Sequence, residues 1–218
     1  MTHAFAKATA RKLLFATTNP NKLKEVRDAI GEVMSLADVA AVPEPEESGA
    51  TFWENARLKA LAYSQATGLT VVAEDSGLEI EALGGEPGVH SARFLGANTS
   101  YAERFVEIYR RLSVRGDKPC LSAEALRAKA EGLSSPARFV TALAVADGTE
   151  ILFETETTIE GTIAPAPAGT NGFGYDPIFY YPPFAATTAQ LDSAQKASVS
   201  HRARAFRDLA RFLHSLPR

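Results

Sequence analysis

The order of its apolar segments constrains the fold of this chain more than any single motif does. A short apolar run at 12–17 passes through a polar turn into a helical repeat at 20–33. Later, two strand-like segments at 138–145 and 150–159 flank an Asp-Gly pair of the kind found in hairpin turns. Because helices alternate with strands early in the chain and strands pair late, the sequence predicts an α/β fold with a mixed sheet.

Three further segments have the pattern of strands. The apolar segments 36–42 and 69–73 are each predicted to be a strand. The alternation of apolar and charged residues at 78–82 predicts a separate edge strand.

The organisation of the chain predicts a single domain over residues 1–218, since neither an internal repeat nor a long linker is visible. Residues 1–11 are predicted to be a flexible N-terminus. The polar segment 113–136 contains only one weak helical pattern, and we expect it to be an insertion.

Composition argues against several classes of protein. The formal net charge of −3 does not favour a broad electrostatic surface for nucleic acid or for an anionic membrane. A single cysteine, Cys120, excludes an internal disulfide and fits a reducing compartment, and four histidines spread along the chain do not suggest a zinc site. The apolar runs are too short to cross a membrane, and residues 1–11 lack the apolar stretch of a signal peptide. We therefore expect a cytoplasmic protein that binds neither nucleic acid nor membranes.

The turn between the first strand and the first helix has features of a phosphate site. Asn19 is a favourable N-cap and Pro20 a favourable first helical residue, so backbone N–H groups and the positive end of the helix dipole point to one place. Lys22 in the first turn opposes that dipole, which is unfavourable unless an anion binds there. The turn lacks the glycines of a P-loop. The alternative is an ordinary capped helix with a surface lysine.

Acidic residues at two places suit a hard cation. Glu74 and Asp75 follow an apolar strand, and Glu46 and Glu47 lie in a loop before the helix that a Thr51 capping box opens. Carboxylates without nearby His or Cys are ligands that Mg²⁺ prefers. Alternatively, the upstream pair belongs to a solvated acidic loop and the downstream pair to a simple turn.

An aromatic loop forms the third candidate. Phe173 and Tyr175 lie between glycines, where aromatic rings can stack on a base, although buried rings of a core strand explain them equally well. For an isolated histidine such as His201, a structural role is the commoner one. The polar residues that could hydrogen-bond the edge of a base are Asp176, Lys196 and Arg202. Together the three candidates are compatible with a nucleotide polyphosphate.

A series of short motifs also runs through the chain in order. They are Thr17-Thr18-Asn19-x-x-Lys22-x-x-Glu25, Ser48-Gly49-x-Thr51-Phe52-x-Glu54-Asn55-Ala56, Glu74-Asp75-Ser76-Gly77-Leu78, Gly84-Gly85-x-Pro87-Gly88, Ser91-Ala92-Arg93-Phe94, Gly172-Phe173-Gly174-Tyr175-Asp176-Pro177 and Lys196-x-x-x-Ser200-His201-Arg202. From about Leu13 to the C-terminal helix, the set closely resembles the inosine/xanthosine triphosphate pyrophosphatase family. The resemblance implies Mg²⁺-dependent hydrolysis of ITP, dITP and XTP to the monophosphate and pyrophosphate by a homodimer. It also implies a long bent mixed β-sheet flanked by helices, with two lobes and a central nucleotide cleft.

The resemblance further implies a role for each matching residue. Asp75 matches the general base, and Glu46 with Asp75 the magnesium ligands, with Glu47 as the adjacent substitute. Lys22 would counter the charge of the triphosphate, and Ser76 would touch the substrate. The residues expected to hold the triphosphate are Thr17, Thr18, Asn19, Pro20, Asn21 and Lys22. Those expected to form the base pocket are Phe173, Gly174, Tyr175, Asp176, Lys196, His201 and Arg202.

The predicted pocket favours 6-keto purines. Donors from lysine, histidine and arginine would pair with the keto oxygen of hypoxanthine or xanthine and leave the amino group of adenine unpaired. Two other functions stay open from the sequence. One is a pyrophosphatase for pyrimidine or modified nucleotides, and the other is a nucleotide-binding regulator without catalysis.

Overall fold

A computed structural model describes residues 13–114 and 134–216. The predicted flexible N-terminus, most of the predicted insertion and Cys120 therefore lie outside the described residues. Single-domain organisation and the insertion stay predictions.

A mixed sheet of six strands forms the framework of the described residues, and its strand order follows the chain order. The strands are β1 (Leu14–Phe15), β2 (Thr70–Ile80), β3 (Pro136–Asp147), β4 (Glu150–Ile163), β5 (Phe179–Tyr181) and β6 (Ala186–Thr187). β1 pairs with β2 in parallel, whereas β4 with β5 and β5 with β6 pair antiparallel. Only two residues join β3 to its sheet neighbour β4, as in a hairpin, and Gly148 in that turn has φ +63°. The predicted α/β fold with a mixed sheet is confirmed.

In the part of the chain that the structure describes, five α-helices accompany the sheet. They are α1 (Pro20–Ile30), α2 (Phe52–Thr67), α3 (Tyr101–Val114), α4 (Ser193–Val199) and α5 (His201–Ser215). Local sequence explains their boundaries. The Thr51 hydroxyl accepts the N–H of Glu54, whose carboxylate accepts the N–H of Thr51, and Gly68 ends the same helix in the left-handed conformation. Among these described helices, none is long and apolar enough to span a membrane.

The chain divides into two compact units, in agreement with the two predicted lobes. The first comprises the described parts of Met1–Ser76, Val140–Thr157 and Ser200–Arg218, and the second the described parts of Gly77–Phe139 and Thr158–Val199. Each unit has its own apolar core. In the first, Phe15 and Phe206 meet edge to face with ring centroids 5.8 Å apart. In the second, the ring centroids of Phe139 and Phe179 lie 4.4 Å apart. The nucleotide cleft stays a prediction.

Two of the predicted strands are wrong. The segment 36–42 contains a short 3₁₀ helix, Leu36–Asp38, because the Asp38 carboxylate accepts both the N–H and the hydroxyl of Ser35 at 2.7 Å and closes a turn. The segment 78–82 is not a separate edge strand. Leu78 and Ile80 are fully buried at the end of the long strand β2, and a 3₁₀ turn follows.

Candidate active site

Two adjacent carboxylates lie inside strand β2. Glu74 and Asp75 are only 3% and 7% exposed. Successive side chains of a strand point to opposite faces of the sheet, so the two carboxylates have different neighbours. A buried carboxylate is tolerated only when charges and hydrogen bonds replace the water that it has lost.

Glu74 contacts residues of helices α1 and α5. Its Oε1 lies 2.5 Å from the Nζ of Lys22, and the Nε of Arg202 donates to its Oε2 at 3.2 Å. Burial alone would raise the pKa of Glu74, but the two cations hold that pKa at about 2. Glu74 is therefore ionised at neutral pH and links the two basic side chains.

Arg202 extends this charged network. Its Nη1 donates to Glu25 Oε2 at 3.0 Å, and its Nη2 donates to Ser76 Oγ at 2.9 Å. The sequence assigned Lys22 to the triphosphate, Ser76 to the substrate and Arg202 to the base. The structure brings all three together around Glu74, within the first unit.

Asp75 contacts helix α2. The Nδ2 of Asn55 donates to Asp75 Oδ2 at 3.1 Å, and the Nζ of Lys59 lies 3.6 Å from Asp75 Oδ1. Burial raises the pKa of Asp75 above its ordinary value, and the nearby Glu47 raises it further, against the opposing effect of Lys59. An aspartate with a raised pKa and fixed orientation is suited to act as a general base.

Lys59 also connects Asp75 to the acidic loop. Its Nζ lies 2.5 Å from Glu47 Oε1, and the side chains of both partners are largely buried. Glu46, by contrast, is exposed. Of the two adjacent glutamates, the structure thus places Glu47 against the Lys59 ammonium that contacts Asp75, and it does not bring Glu46 to this cluster.

Asn55 anchors the same loop. Its Oδ1 accepts the N–H of Gly49 at 2.8 Å, while its Nδ2 donates to Asp75. A Cβ at Gly49 would lie 2.7 Å from Asn55 Oδ1, so glycine is needed for this close approach. The loop that carries Glu47 and the strand that carries Asp75 are therefore tied to one face of α2.

The predicted phosphate turn lies at the start of α1. Asn19 is its N-cap, and the Asn19 Oδ1 accepts the N–H groups of Asn21 at 2.9 Å and Lys22 at 3.4 Å. Thr17 Oγ1 accepts the N–H of Asn19 at 3.1 Å. Two of the N–H groups that the sequence offered to an anion are thus already capped by the Asn19 side chain. Thr18, Pro20 and Asn21 are exposed at this turn, and Thr17, Asn19 and Lys22 are partly exposed.

The aromatic loop lies in the second unit. Asp176 Oδ2 accepts the N–H of Phe173 at 2.8 Å and lies 2.6 Å from the Nζ of Lys196. That ammonium is 5.1 Å from the centre of the Phe173 ring, within cation–π range. Gly172 and Gly174 both have positive φ, +75° and +66°. Phe173, Asp176 and Lys196 therefore form a second cluster of predicted site residues.

Four of the predicted pocket residues are buried, namely Tyr175, Asp176, His201 and Arg202, and the first and third of them make contacts of a structural kind. Tyr175 packs edge to face against Tyr101, with ring centroids 5.2 Å apart, and its hydroxyl donates to the Ser91 carbonyl at 2.9 Å. His201 is buried at the start of α5, and its carbonyl accepts the hydroxyl of Thr157 at 2.6 Å. These contacts fit the structural alternative that the sequence left open for Tyr175 and His201.

Sequence reasoning missed Asn55 and Lys59 as site residues. They are four residues apart on α2 and therefore lie on one helix face, among the buried residues Ala56, Ala60 and Tyr63. An amide and an ammonium on an otherwise buried face are an available signal, because such groups need buried partners. The sequence pattern alone does not show that the partners are Glu47 and Asp75.

Within residues 13–114 and 134–216, no group of three or more His, Cys, Asp or Glu side chains forms a complete metal site. Lys59 joins two carboxylates, those of Glu47 and Asp75. Magnesium in enzymes that act on nucleotides is typically held by one or two carboxylates together with water and substrate phosphates. The donors present fit that kind of site.

Known proteins resemble this chain in sequence and in fold. A model of the Ham1 family matches residues 13–212. The chain is 41% identical over 202 residues to the dITP/XTP pyrophosphatase of Exiguobacterium sp. (strain ATCC BAA-1283 / AT1b), covering 91% of this chain and 94% of that protein. It is 42% identical over 204 residues to the protein of the same name from Thermus thermophilus (strain ATCC 27634 / DSM 579), covering 91% and 89%.

A solved structure shows the same fold. The HAM1 protein from Coxiella burnetii superimposes with a TM-score of 0.80 at 34% sequence identity, covering 94% of this chain and 98% of that one. The residues matched by the family model include both clusters. The chain belongs to the Ham1 family.

Proposed function

We propose that this chain is a nucleoside-triphosphate pyrophosphatase that hydrolyses ITP, dITP and XTP to the monophosphate and pyrophosphate. The observation that carries the proposal is the buried Asp75, oriented by Asn55 and Lys59 next to Glu47. The names of the relatives, dITP/XTP pyrophosphatase, support the choice of substrates. As in the family that the sequence resembles, the enzyme acts as a cytoplasmic homodimer.

Magnesium is the proposed cofactor. Asp75 and Glu47 would hold it, and Glu47 is favoured over the exposed Glu46 because Lys59 already links it to Asp75. When bound, the ion supplies positive charge that neutralises the polyphosphate. Lys59 contributes a positive charge between the same carboxylates.

Asp75 is the proposed general base. The Asn55 amide and the Lys59 ammonium hold its carboxylate in a fixed orientation. The carboxylate keeps that orientation while it accepts a proton from water. The water attacks the α-phosphorus, the bond to the bridging oxygen breaks, and pyrophosphate leaves with that oxygen. No covalent intermediate on the protein is required.

Lys22 is the proposed cation for the triphosphate. It is partly exposed at the start of α1, and in the structure its ammonium pairs with the buried Glu74. Glu74 keeps the ammonium in place before the substrate arrives. The exposed turn of Thr17, Thr18, Asn19, Pro20 and Asn21 lies next to it in the chain.

Phe173 and Lys196 are the proposed contacts to the base. The aromatic ring offers a stacking surface, and the ammonium above it is a donor suited to a 6-keto oxygen. An adenine amino group presents a donor at the same position and would offer the lysine no acceptor on the base.

Pyrophosphate release from six nucleotides tests the proposal. We expect Mg²⁺-dependent pyrophosphate from ITP and XTP and little from ATP, with GTP as a further 6-keto purine and dTTP and UTP as pyrimidine controls. A preference for dTTP or UTP would contradict the substrate class but keep the reaction. Binding of ITP without turnover of any nucleotide would instead support the regulator. Size-exclusion chromatography with light scattering tests the homodimer, and a monomer mass would reject it.

A further inference from the structure

The Asp176 carboxylate is enclosed by groups of the protein itself. Asp176 is 4% exposed. Its Oδ2 receives the N–H of Phe173 at 2.8 Å and the Nζ of Lys196 at 2.6 Å. A carboxylate with these contacts is placed to orient the lysine.

Thr188 contacts the other carboxylate oxygen of Asp176, Oδ1. Its Oγ1 lies 2.8 Å from Asp176 Oδ1 and 3.2 Å from the Asp176 carbonyl, so the shorter contact is with the carboxylate. Thr188 is 2% exposed, and its N–H donates to the Phe179 carbonyl at 2.9 Å, at the start of strand β5. The hydroxyl therefore belongs to a buried residue whose backbone is hydrogen-bonded to the sheet.

The geometry also explains why the carboxylate cannot rotate freely. A Cβ at Gly172 would lie 2.2 Å from Asp176 Oδ2 and 2.8 Å from Lys196 Nζ, so the loop backbone presses closely on this ion pair. With Oδ2 held by two donors, the Thr188 hydroxyl on Oδ1 sets the plane of the carboxylate.

We infer that Thr188 is a positioning residue that acts through Asp176 to hold the Lys196 ammonium over the Phe173 ring. The inference rests on the proposed function, because it makes Thr188 a determinant of purine nucleotide binding. Thr188 itself touches no substrate. Its hydroxyl orients the Asp176 carboxylate, and that carboxylate holds the Lys196 ammonium that donates to the base.

Replacing the hydroxyl with a methyl group tests this chain of contacts. For Thr188→Val, we expect KM for ITP to rise about tenfold while kcat changes by less than about twofold, because the lost hydrogen bond to a charged group affects binding and not the water attack. Thr188→Ser keeps the hydroxyl and should restore the wild-type KM. A Thr188→Val variant with the wild-type KM would overturn the inference, and so would a Thr188→Ser variant that stays impaired.

A second measurement follows Lys196 directly and needs no turnover. Amine acetylation monitored by mass spectrometry should modify Lys196 faster in Thr188→Val than in the wild type, since the ammonium is held less firmly. Lys24, which is 75% exposed, is the internal reference and should react equally in both. An unchanged rate at Lys196 would overturn the inference even if KM rises.

Thr141→Val is the matched control. Thr141 is fully buried in strand β3, and its hydroxyl is among the buried polar atoms of the described residues without a hydrogen-bond partner. Its isosteric replacement should change neither KM nor Lys196 acetylation. If the wild-type protein hydrolyses no nucleotide, the proposed function fails, and the acetylation rates still decide the role of Thr188.

Discussion

At the scale of single residues, Lys59 and Asn55 give Asp75 its properties. Both come from one face of α2, one turn apart, and they bind the carboxylate from the same side. Asn55 orients one oxygen and Lys59 supplies a charge near the other. The raised pKa of Asp75 follows from burial first and from the proximity of Glu47 second, and the ammonium limits that rise.

Asp75→Asn should abolish turnover and leave the fold intact. The amide keeps the volume of the side chain but cannot accept a proton, and loss of a general base costs roughly 10²–10⁴-fold in rate. Steady-state kcat and the thermal midpoint, measured together, separate the two effects. Near-wild-type activity would exclude Asp75 as the base.

The pH dependence of the wild-type enzyme provides an independent check on Asp75. The base works only when deprotonated, so kcat/KM should fall as the pH drops through the pKa of Asp75. In the metal-free protein burial raises that pKa, so Asp75 titrated by NMR without Mg²⁺ should show a pKa above that of an ordinary aspartate. Bound Mg²⁺ opposes this rise, so the acidic limb of kcat/KM should lie below the metal-free pKa. A kcat/KM that does not fall in acid would contradict the assignment.

Glu74→Gln tests the charged network around Arg202 and Lys22. Removing the buried carboxylate leaves two cations without their partner, which typically costs about 3–5 kcal/mol of unfolding free energy. The native pKa of about 2 lies below the ordinary value of 4.5, so the stabilisation is present above pH 4.5 and is lost as the pH falls toward 2. Urea unfolding should therefore show that the unfolding free energy of Glu74→Gln is below that of the wild type at pH 7, and that this difference becomes smaller in acid. A difference that does not change with pH would show that the ionised state of Glu74 is not the cause.

At the scale of elements, the site residues are placed by short local devices. The Thr51–Glu54 capping box fixes the start of α2 and thereby the position of Asn55 four residues after the cap. The Asn19 cap does the same for α1 and Lys22. In the loop before β5, the positive φ of Gly172 allows the backbone to approach Asp176.

Gly172→Ala should weaken nucleotide binding more than an alanine at another glycine with positive φ does. The new Cβ would displace the Asp176 carboxylate and with it Lys196, so KM for ITP should rise. Gly148→Ala is the control, because Gly148 also has a positive φ, +63°, but its Cβ would meet no atom within 4 Å. Both variants should lose about 1–2 kcal/mol for the left-handed conformation, measured by urea unfolding. Equal KM values in the two variants would exclude a special role for Gly172.

At the scale of the whole molecule, the two compact units contribute different groups to the proposed function. The first unit carries Glu47, Asp75 and the Glu74 network, and the second carries the Phe173–Lys196 cluster. Each unit has its own apolar core, so the groups proposed to contact phosphate and those proposed to contact the base belong to separately packed parts of the chain.

A non-hydrolysable ITP analogue should stabilise the native protein through mass action. At a concentration of 100 times its Kd, a ligand that binds only the native state adds about 2.7 kcal/mol to the unfolding free energy. Thermal unfolding with the α,β-imido analogues of ITP and ATP at equal concentration is the measurement. Equal stabilisation by both would contradict discrimination at the base.

The sequence by itself determined the alternation of strands and helices, the caps of α1 and α2, and the residue types of both clusters, because these depend on local periodicity and short-range hydrogen bonds. It did not determine that 78–82 continues the buried strand β2, that 36–42 forms a turn, or that Lys59 and Asn55 contact Asp75. Those outcomes depend on partners distant in the chain: Asn55 and Asp75 are 20 residues apart, and Arg202 and Glu74 are 128 apart. Only the tertiary structure decides which of several compatible polar groups meet, because each buried charge must be matched by whichever partner the packing brings to it.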